Sequence, residues 1–471
     1  MQNDIKKPTL TYSILLLVMV IGIITVGMLV FAAEIQIMLF IALIAVIPFV
    51  LKLGYSYEEV EEQIFSSMKK ALQPAMILLG VGILIGSWMA SGTVPTIIYY
   101  GIQSISPQFF LVTTLLFCSV VSIATGSSWA TLGTAGIAMM GVGHSLGIPV
   151  GMTAGAVISG AYFGDKISPL SDSTNLSAAV VGTDLMTHIK HMMWTTVPSY
   201  IITAIIFTVL GFRYGENAAN SAEVSALTGY LSDHFHLGVI PLIPVVVLFG
   251  LLISKQPAVT SVFIGSIAGA VVAILYQGLS VPEVFTILYE GYYVESGIEI
   301  VNTLLQRGGL TSMLALLALF LFALGLGGLL HASGVLETIL LSVTSRIKSK
   351  GMLVFVTILI SYFTLGIGGA FYFSAVMTGT LMKPLFEKFN LKPENLSRIM
   401  EDCATQSCSL IPWTASGIFT AATLGVPPLV YIPFCFLAMT TPIFSLVYGI
   451  TGFSMTEKIR KPKVIGKEIE A

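Results

Sequence analysis

Long apolar runs separated by short polar links dominate the chain. They predict membrane-crossing helices near 10–31, 35–53, 74–100, 107–123, 130–147, 194–212, 238–254, 258–277, 310–341, 351–366, 369–386 and 428–450. Two further runs, 150–183 and 395–425, carry polar residues in their middle and predict broken helices. Residues 56–70 alternate Glu58, Glu59, Glu61, Glu62, Lys69 and Lys70 with apolar positions, which predicts an amphipathic helix lying on the membrane surface. A similar acidic stretch, 281–306, precedes Leu310. The pair 107–123 and 130–147 reads as a re-entrant hairpin with a polar tip at 124–128, in preference to two full spans; both return the chain to the same side.

The first broken run contains Phe163-Gly164-Asp165-Lys166-Ile167-Ser168-Pro169-Leu170-Ser171-Asp172-Ser173-Thr174-Asn175. At bilayer depth each central Asp or Lys costs ~3 kcal/mol, so such groups face a protein interior or a wet cavity and point to an ion or substrate site. Pro169 removes an amide hydrogen and disfavours helix at Ser168, so the chain should unwind there and free backbone groups.

Comparing the chain with itself exposes a repeat. Ala90-Ser91-Gly92-Thr93 matches Ala332-Ser333-Gly334-Val335 at an offset of 242, and Ile167-Ser168-Pro169-Leu170-Ser171 aligns with Leu410-Ile411-Pro412-Trp413-Thr414 at 243. Gly126-Ser127-Ser128-Trp129 falls opposite Gly368-Gly369-Ala370-Phe371. Two related halves, 1–212 and 238–450, are expected, joined by a polar linker at 213–237 and followed by a basic tail at 451–471. Positive charge places Lys6, Lys7, Lys52, Lys69 and Lys70 inside, whereas 91–106 and 144–150 hold no Lys or Arg and read as outside. The equivalent links of the second half are basic (Arg346, Lys348, Lys350, then Lys383, Lys388, Lys392, Arg398), as is the tail (Lys458, Arg460, Lys461, Lys463, Lys467). Equivalent links on opposite sides mean inverted repeats with a site at the midplane and both termini cytoplasmic.

Composition fixes the class. Of 471 residues 55% are hydrophobic and 10% charged, with mean hydropathy +0.92, against roughly 25% charged in soluble domains. The expected fold is therefore an all-α polytopic membrane protein of two inverted repeats, each with a re-entrant hairpin and a broken helix. The net charge of -2 comes without a basic patch, so nucleic acid is not an expected partner; the lipid bilayer is. Cys118, Cys403, Cys408 and Cys435 lie in apolar segments without metal-binding spacing and read as small core residues. Residues 10–31 read as a first span rather than a signal peptide. No assembled Ser/His/Asp or metal pattern supports an enzyme, and midplane carboxylates on a broken helix suit a carrier better than a channel.

Asp165 and Asp172 are seven residues apart, about two helical turns, and could share one face. A carboxylate in a partly dry site can trade a proton for a cation. Ser168, Ser171, Thr174, Asn175 and freed carbonyls supply the hard oxygens that Na+ at Asp165 and Asp172 would need. Lys166 either staples the broken helix through a carboxylate or attracts an anionic substrate. The related break, 406–414, keeps a proline and hydroxyls, Ser409 and Thr414 among them, but no acid. Glu401 and Asp402 partly restore acidity, although Arg398 could pair with them at a solvated helix end. Ser127 and Ser128, with Thr125, form a further polar cluster at the expected hairpin tip. His144 and His331 read as interfacial packing rather than a proton relay, and the many glycines as close helix packing.

The string FGDKISPLSDSTNLSAA, 163–179, closely resembles the signature of the NhaC-type sodium/proton antiporters of the ion transporter superfamily. The likeness implies a cation-coupled secondary antiporter in the inner membrane of a bacterium or archaeon, without a cofactor, moving Na+ and H+. It also implies a homodimer, and it carries Asp165, Ser168, Asp172, Thr174 and Asn175 onto the family motif. Ser173 stands where a second Thr is common. The family also holds proteins similar to malate/lactate exchangers coupled to Na+ and H+, so small carboxylates stay open as cargo.

Overall fold

Helices are the only regular elements the composition permits at bilayer depth, because each backbone amide must find its partner within its own segment. The computed structural model describes residues 6–69, 72–215, 221–254, 256–344 and 347–457, and its described residues fold into helices without a named strand. Lys70, Arg346, residues 216–220 of the expected linker and the basic stretch 458–471 lie outside the described residues.

The first half runs α1 (Leu10–Val30), α2 (Ile35–Lys52), α3 (Tyr57–Lys69), α4 (Leu72–Ala90), α5 (Thr93–Ser104) and α6 (Phe110–Thr125). It continues through α7 (Ser128–Thr131), a π-turn at Leu132–Gly136, α8 (Ile137–Ser145), α9 (Val150–Ile167), α10 (Asp172–Val181) and α11 (Leu185–Gly215). After α12 (Ser221–His234), the second half runs α13 (Ile243–Ile253), α14 (Ala258–Leu275), α15 (Val281–Glu290), α16 (Glu299–Leu305), α17 (Leu314–Ala332) and α18 (Val335–Thr344). It ends with α19 (Lys350–Gly368), α20 (Phe371–Lys388), α21 (Pro393–Met400), a second π-turn at Glu401–Thr405, α22 (Ala415–Leu424), α23 (Pro428–Tyr431) and α24 (Phe436–Thr451). Among the described residues, six helices are long and apolar enough to cross a membrane. Exposed Leu15, Val18 and Ile21 on α1 and Ile201, Ile205 and Val209 on α11 give the outer surface the apolar character that lipid requires.

The repeat is written into the backbone. Left-handed residues recur at Gly92 and Gly334, Gly126 and Gly369, Gly147 and Asn390, and Gly182 and Gly425, all at the offset of 242–243 seen in the sequence. Gly126 and Gly369 close α6 and α19 with φ +67° and +65° and turn the chain into the returning arm. A Cβ on Gly126 would stand 2.6 Å from Leu170 Cβ, so the tip also needs glycine to reach the first helix break. Hydroxyls cap two of the helices around the tips and breaks: Ser127 Oγ accepts from Ala130 N at 3.2 Å at the start of α7, and Thr414 Oγ1 from Gly417 N at 3.0 Å at the start of α22.

Three expectations change in detail. The run 74–100 is two helices bent by 67° at Ser91–Gly92, since left-handed Gly92 ends the α-helical path, and 310–341 divides likewise at Gly334. The amphipathic helix α3 does more than lie on a surface. Its glutamates stay exposed while Met68, Ile64 and Ser67 pack against Gly325 and Gly328 of α17, and Tyr55 donates to Ala332 O at 2.8 Å. Within 213–237, α12 is an ordered helix with Leu227 and Leu231 fully buried.

Close packing and exchange between the halves bring the site together. Gly160 and Gly164 let α9 lie directly on α6; a Cβ at Gly160 would sit 2.5 Å from Leu115 O. Beyond its break α9 continues as α10, which packs on α20 of the other half, with Val180 over Gly379. In return α22 packs on the returning arm of the first hairpin, where Phe419 stacks on Trp129 at 4.3 Å and Leu424 meets Gly136. Each broken helix thus completes the other half's hairpin.

All four cysteines are buried and unbridged, so a cysteine-free background calls for small replacements that keep the core packed. In it, a cysteine at exposed Ser104 should label from outside and one at exposed Ser349 from inside. Labelling of both from one face would contradict the inverted arrangement read from positive charge.

Candidate functional site

Pro169 and the polar residues around it end α9 at Ile167 and start α10 at Asp172, leaving extended backbone at Ser168 and Ser171. The unwound turn frees carbonyls, and nearby side chains satisfy them. Thr174 Oγ1 donates to Lys166 O at 3.0 Å, Asn175 Nδ2 to Pro169 O at 3.0 Å and to Ser171 O at 2.8 Å. Ser168 Oγ donates to Ile123 O at 3.0 Å and ties the break to α6. Ser168, Thr174 and Asn175 therefore spend their polar atoms on backbone, holding the break in shape.

Asp165 and Lys166, neighbours on the last turn of α9, face different environments. Asp165 accepts from Ser128 Oγ of the hairpin tip at 2.6 Å through Oδ2 and from Ser171 Oγ through Oδ1. Ser171 Oγ also lies 3.0 Å from Ser173 Oγ. With 8% exposure Asp165 looks into a cavity of ≈ 610 Å³ that Asp172, Ser127, Ser128, Ser173, Tyr162 and Thr405 also line. Asp172 is exposed at the first position of α10. The N-terminal residues of four helical arms border this space: Ser128, Asp172, Phe371 and Ala415, each preceded by its capping residue. Their positive dipole ends favour negative charge there, each by about 0.3–1 kcal/mol at exposed positions.

Lys166 turns away from that cavity. It is fully buried and pairs with Asp402 of the second π-turn, also fully buried. Of the two roles the sequence left open, a staple within its own break or attraction of an anionic substrate, neither describes this placement: the helix twist aims Lys166 across the interface between halves. Asp402 is further held by Thr195 Oγ1 at 3.0 Å on α11 and Ser445 Oγ at 2.5 Å on α24. The widened turn leaves its carbonyl open, and Thr441 Oγ1 donates to it at 3.1 Å. Arg398, the partner a solvated helix end would have supplied, is buried and donates to Ser454 O and Oγ, both at 3.0 Å.

Of the remaining expected residues, Thr414 and Ser409 serve the second break. Thr414 Oγ1 donates to Cys408 O and caps α22, while the Ser409 carbonyl accepts from Tyr431 OH at 2.6 Å and its buried hydroxyl has no hydrogen-bond partner. Ser127 caps α7 and lines the cavity. His331 lines the cavity and packs edge-on against Phe373. Sequence reasoning missed the aromatic wall: Trp129, whose indole N–H donates to Ser416 Oγ at 3.3 Å, Tyr162, Phe320, Tyr372 and Phe373. Only the polar-aromatic pairing Ser128-Trp129 at the tip could have signalled it.

A helical membrane chain whose two hairpin tips and two helix breaks enclose a carboxylate-bearing cavity has the construction of a secondary transporter. Comparison with known proteins gives the family: residues 160–453 match the Na+/H+ antiporter family, and the chain belongs to it. It is a multi-pass membrane protein of a family of antiporters. The Malate-2H(+)/Na(+)-lactate antiporter of Bacillus subtilis is 38% identical over 450 residues, 96% of each chain. The Na(+)/H(+) antiporter NhaC of Alkalihalophilus pseudofirmus is 38% identical over 451 residues, 96% of this chain and 97% of that one. The arginine/ornithine antiporter ArcD of Halobacterium salinarum is 37% identical over 407 residues, 86% of this chain and 84% of that one. Residues 1–214 also match the C4-dicarboxylate anaerobic carrier family.

Removing one partner of a buried pair strands the other, at a cost of about 3–5 kcal/mol. Lys166→Met should therefore lower the melting temperature in detergent markedly, and Lys166→Met with Asp402→Asn should recover most of the loss. A single variant as stable as the parent would show that the pair holds nothing together.

Proposed function

We propose that the protein exchanges Na+ for H+ across the cytoplasmic membrane, with Asp165 carrying the two in turn. The observation that carries this reading is the environment of Asp165: an acid facing a cavity, held by hydroxyls from two elements, with the nearest ammonium committed to Asp402. Hydroxyl groups both donate to a carboxylate and offer lone pairs to a cation, so Ser128 and Ser171 can remain in place whether Asp165 holds a proton or Na+. Asp172, at the cavity edge, supplies a second carboxylate on the same path. Movement of the hairpin tips and breaks against each other would open the cavity to one side and then the other. The halves act as inverted repeats with both termini cytoplasmic, and two chains pair as a homodimer.

Cavity size supports a second reading, exchange of small carboxylates such as malate or lactate coupled to Na+ and H+. A space of ≈ 610 Å³ with an aromatic wall is far larger than Na+ needs, and converging helix N-termini suit a carboxylate group. The relative named as a malate/lactate antiporter points the same way. Purified protein in liposomes separates the two: internal pH is followed after Na+, malate or lactate is added alone. A response to Na+ alone supports cation exchange; a response only when a carboxylate is present supports the second reading.

Shared use of one carboxylate has a pH signature. The proton must leave before Na+ binds, so below the proton's pKa the apparent Na+ affinity weakens about tenfold per pH unit for each displaced proton, and above it becomes flat. Calorimetry across pH 6 to 9 should show that slope, and Asp165→Asn should abolish both the slope and Na+-driven proton movement. Asp172→Asn should likewise stop Na+-dependent proton movement while leaving folding near normal. An affinity independent of pH would rule out a shared site.

A further inference from the structure

Glu401 is a buried acid that the exchange at Asp165 does not use. It precedes Asp402 in the second π-turn and is fully buried. Its Oε1 accepts from Ser177 Oγ on α10 at 2.8 Å, whereas Oε2 has no donor at hydrogen-bond distance among the described residues. An ionised oxygen buried without a donor is costly, and a proton on it removes that cost. Four residues on, the Thr405 hydroxyl is also buried without a partner, and Thr405 lines the cavity that holds Asp165. The Thr405 hydroxyl thus stands between the cavity and the Glu401 carboxyl on which it acts.

The charged surroundings are set from each neighbouring element. Asp165 and Lys166 on α9 act on Glu401, and Lys166 is bound to Asp402. On α21 Arg398 donates to the segment after α24, on α11 His188 bonds Ser397 at 2.7 Å, and on α19 the Tyr362 hydroxyl lies 3.0 Å from Ser407 Oγ. With these groups committed to other partners, Thr405 is the hydroxyl besides Ser177 that acts on the Glu401 carboxyl.

We propose that Glu401 is a second proton-carrying site, loaded from the cavity past the Thr405 hydroxyl. In the loading step a hydronium in the cavity gives its proton to Thr405 Oγ1 while the hydroxyl's own proton passes to Glu401 Oε2, leaving water, neutral Thr405 and neutral glutamic acid. Release reverses the step when the cavity faces the other side. The acid that exchanges cargo then sits on the first half and the acid that carries only protons on the second. Ser177 links the second acid to α10, so its charge is felt at the first break. This rests on Na+/H+ exchange at Asp165.

The test is the proton-to-Na+ ratio of the reconstituted full chain, read from the reversal potential under opposed Na+ and pH gradients. Glu401→Gln should lose one proton per cycle and keep Na+ binding by calorimetry, and Thr405→Val should slow proton-coupled turnover without altering the ratio. A wild-type ratio in Glu401→Gln overturns the inference. If that variant does not fold, wild-type turnover in Thr405→Val overturns it instead. Wild-type protein that moves no protons against Na+ overturns the exchange reading itself, a separate outcome.

Discussion

An ammonium group in the middle of a membrane protein is tolerable only against a carboxylate that is itself fully held, and Lys166 meets that condition 236 residues away at Asp402. Two hydroxyls, from Thr195 and Ser445, complete the shell of Asp402. The arrangement fixes α9 to the second π-turn and so locks the two halves in register at the level of both helix breaks. It also decides what Asp165 can do. With the adjacent ammonium withdrawn, Asp165 faces its cavity with hydroxyl partners, the setting on which the proposed exchange rests.

The halves share a backbone plan and differ in chemistry. At the repeat offset, Asp165 falls opposite Cys408, Lys166 opposite Ser409, Ser171 opposite Thr414 and Asp172 opposite Ala415. Geometry is retained, as the matching left-handed residues show, while ionisable groups are kept in the first break and moved back by a turn or more, to Glu401 and Asp402, in the second. A π-turn is suited to this displacement. Its wider ring lets Glu401 reach α10 while Asp402 reaches Lys166, a divergence that two consecutive residues use to address both halves at once.

The fold was legible where local physics decides. Pro169 and Pro412 marked the breaks, the polar stretch at 124–128 marked the first tip, and the constant offset disclosed the repeat. Positions decided by tertiary contact were not legible. Nothing in the sequence distinguishes Ser171, which reaches Asp165, from Ser168 three residues earlier, which reaches Ile123 O; helix direction after the break makes the difference. The partner of Lys166 and the aromatic wall of the cavity likewise depend on which helices cross, and α3 reads as a surface helix because Gly325 and Gly328, which accept it, lie over 250 residues downstream.

Exchange of packing between halves bears on how such a site could change its exposure. α10 rests on the other half's α20, and α22 on the first hairpin's returning arm, so neither hairpin can move without carrying a piece of the opposite half. Small residues make these seams, Gly379 under Val180 and Gly136 beside Leu424, and let the helices of the two halves approach closely. The hydroxyl contact from Ser128 to Asp165 crosses from the first tip to the first break, within this moving assembly. Under the exchange proposed for Asp165, replacing a proton by a cation would alter the attraction across that contact, and the seams would carry the alteration toward the other tip. On the exchange proposed above, cargo chemistry and conformational exchange meet at Asp165, on the last turn of α9, which takes one hydroxyl from the hairpin tip and one from the break.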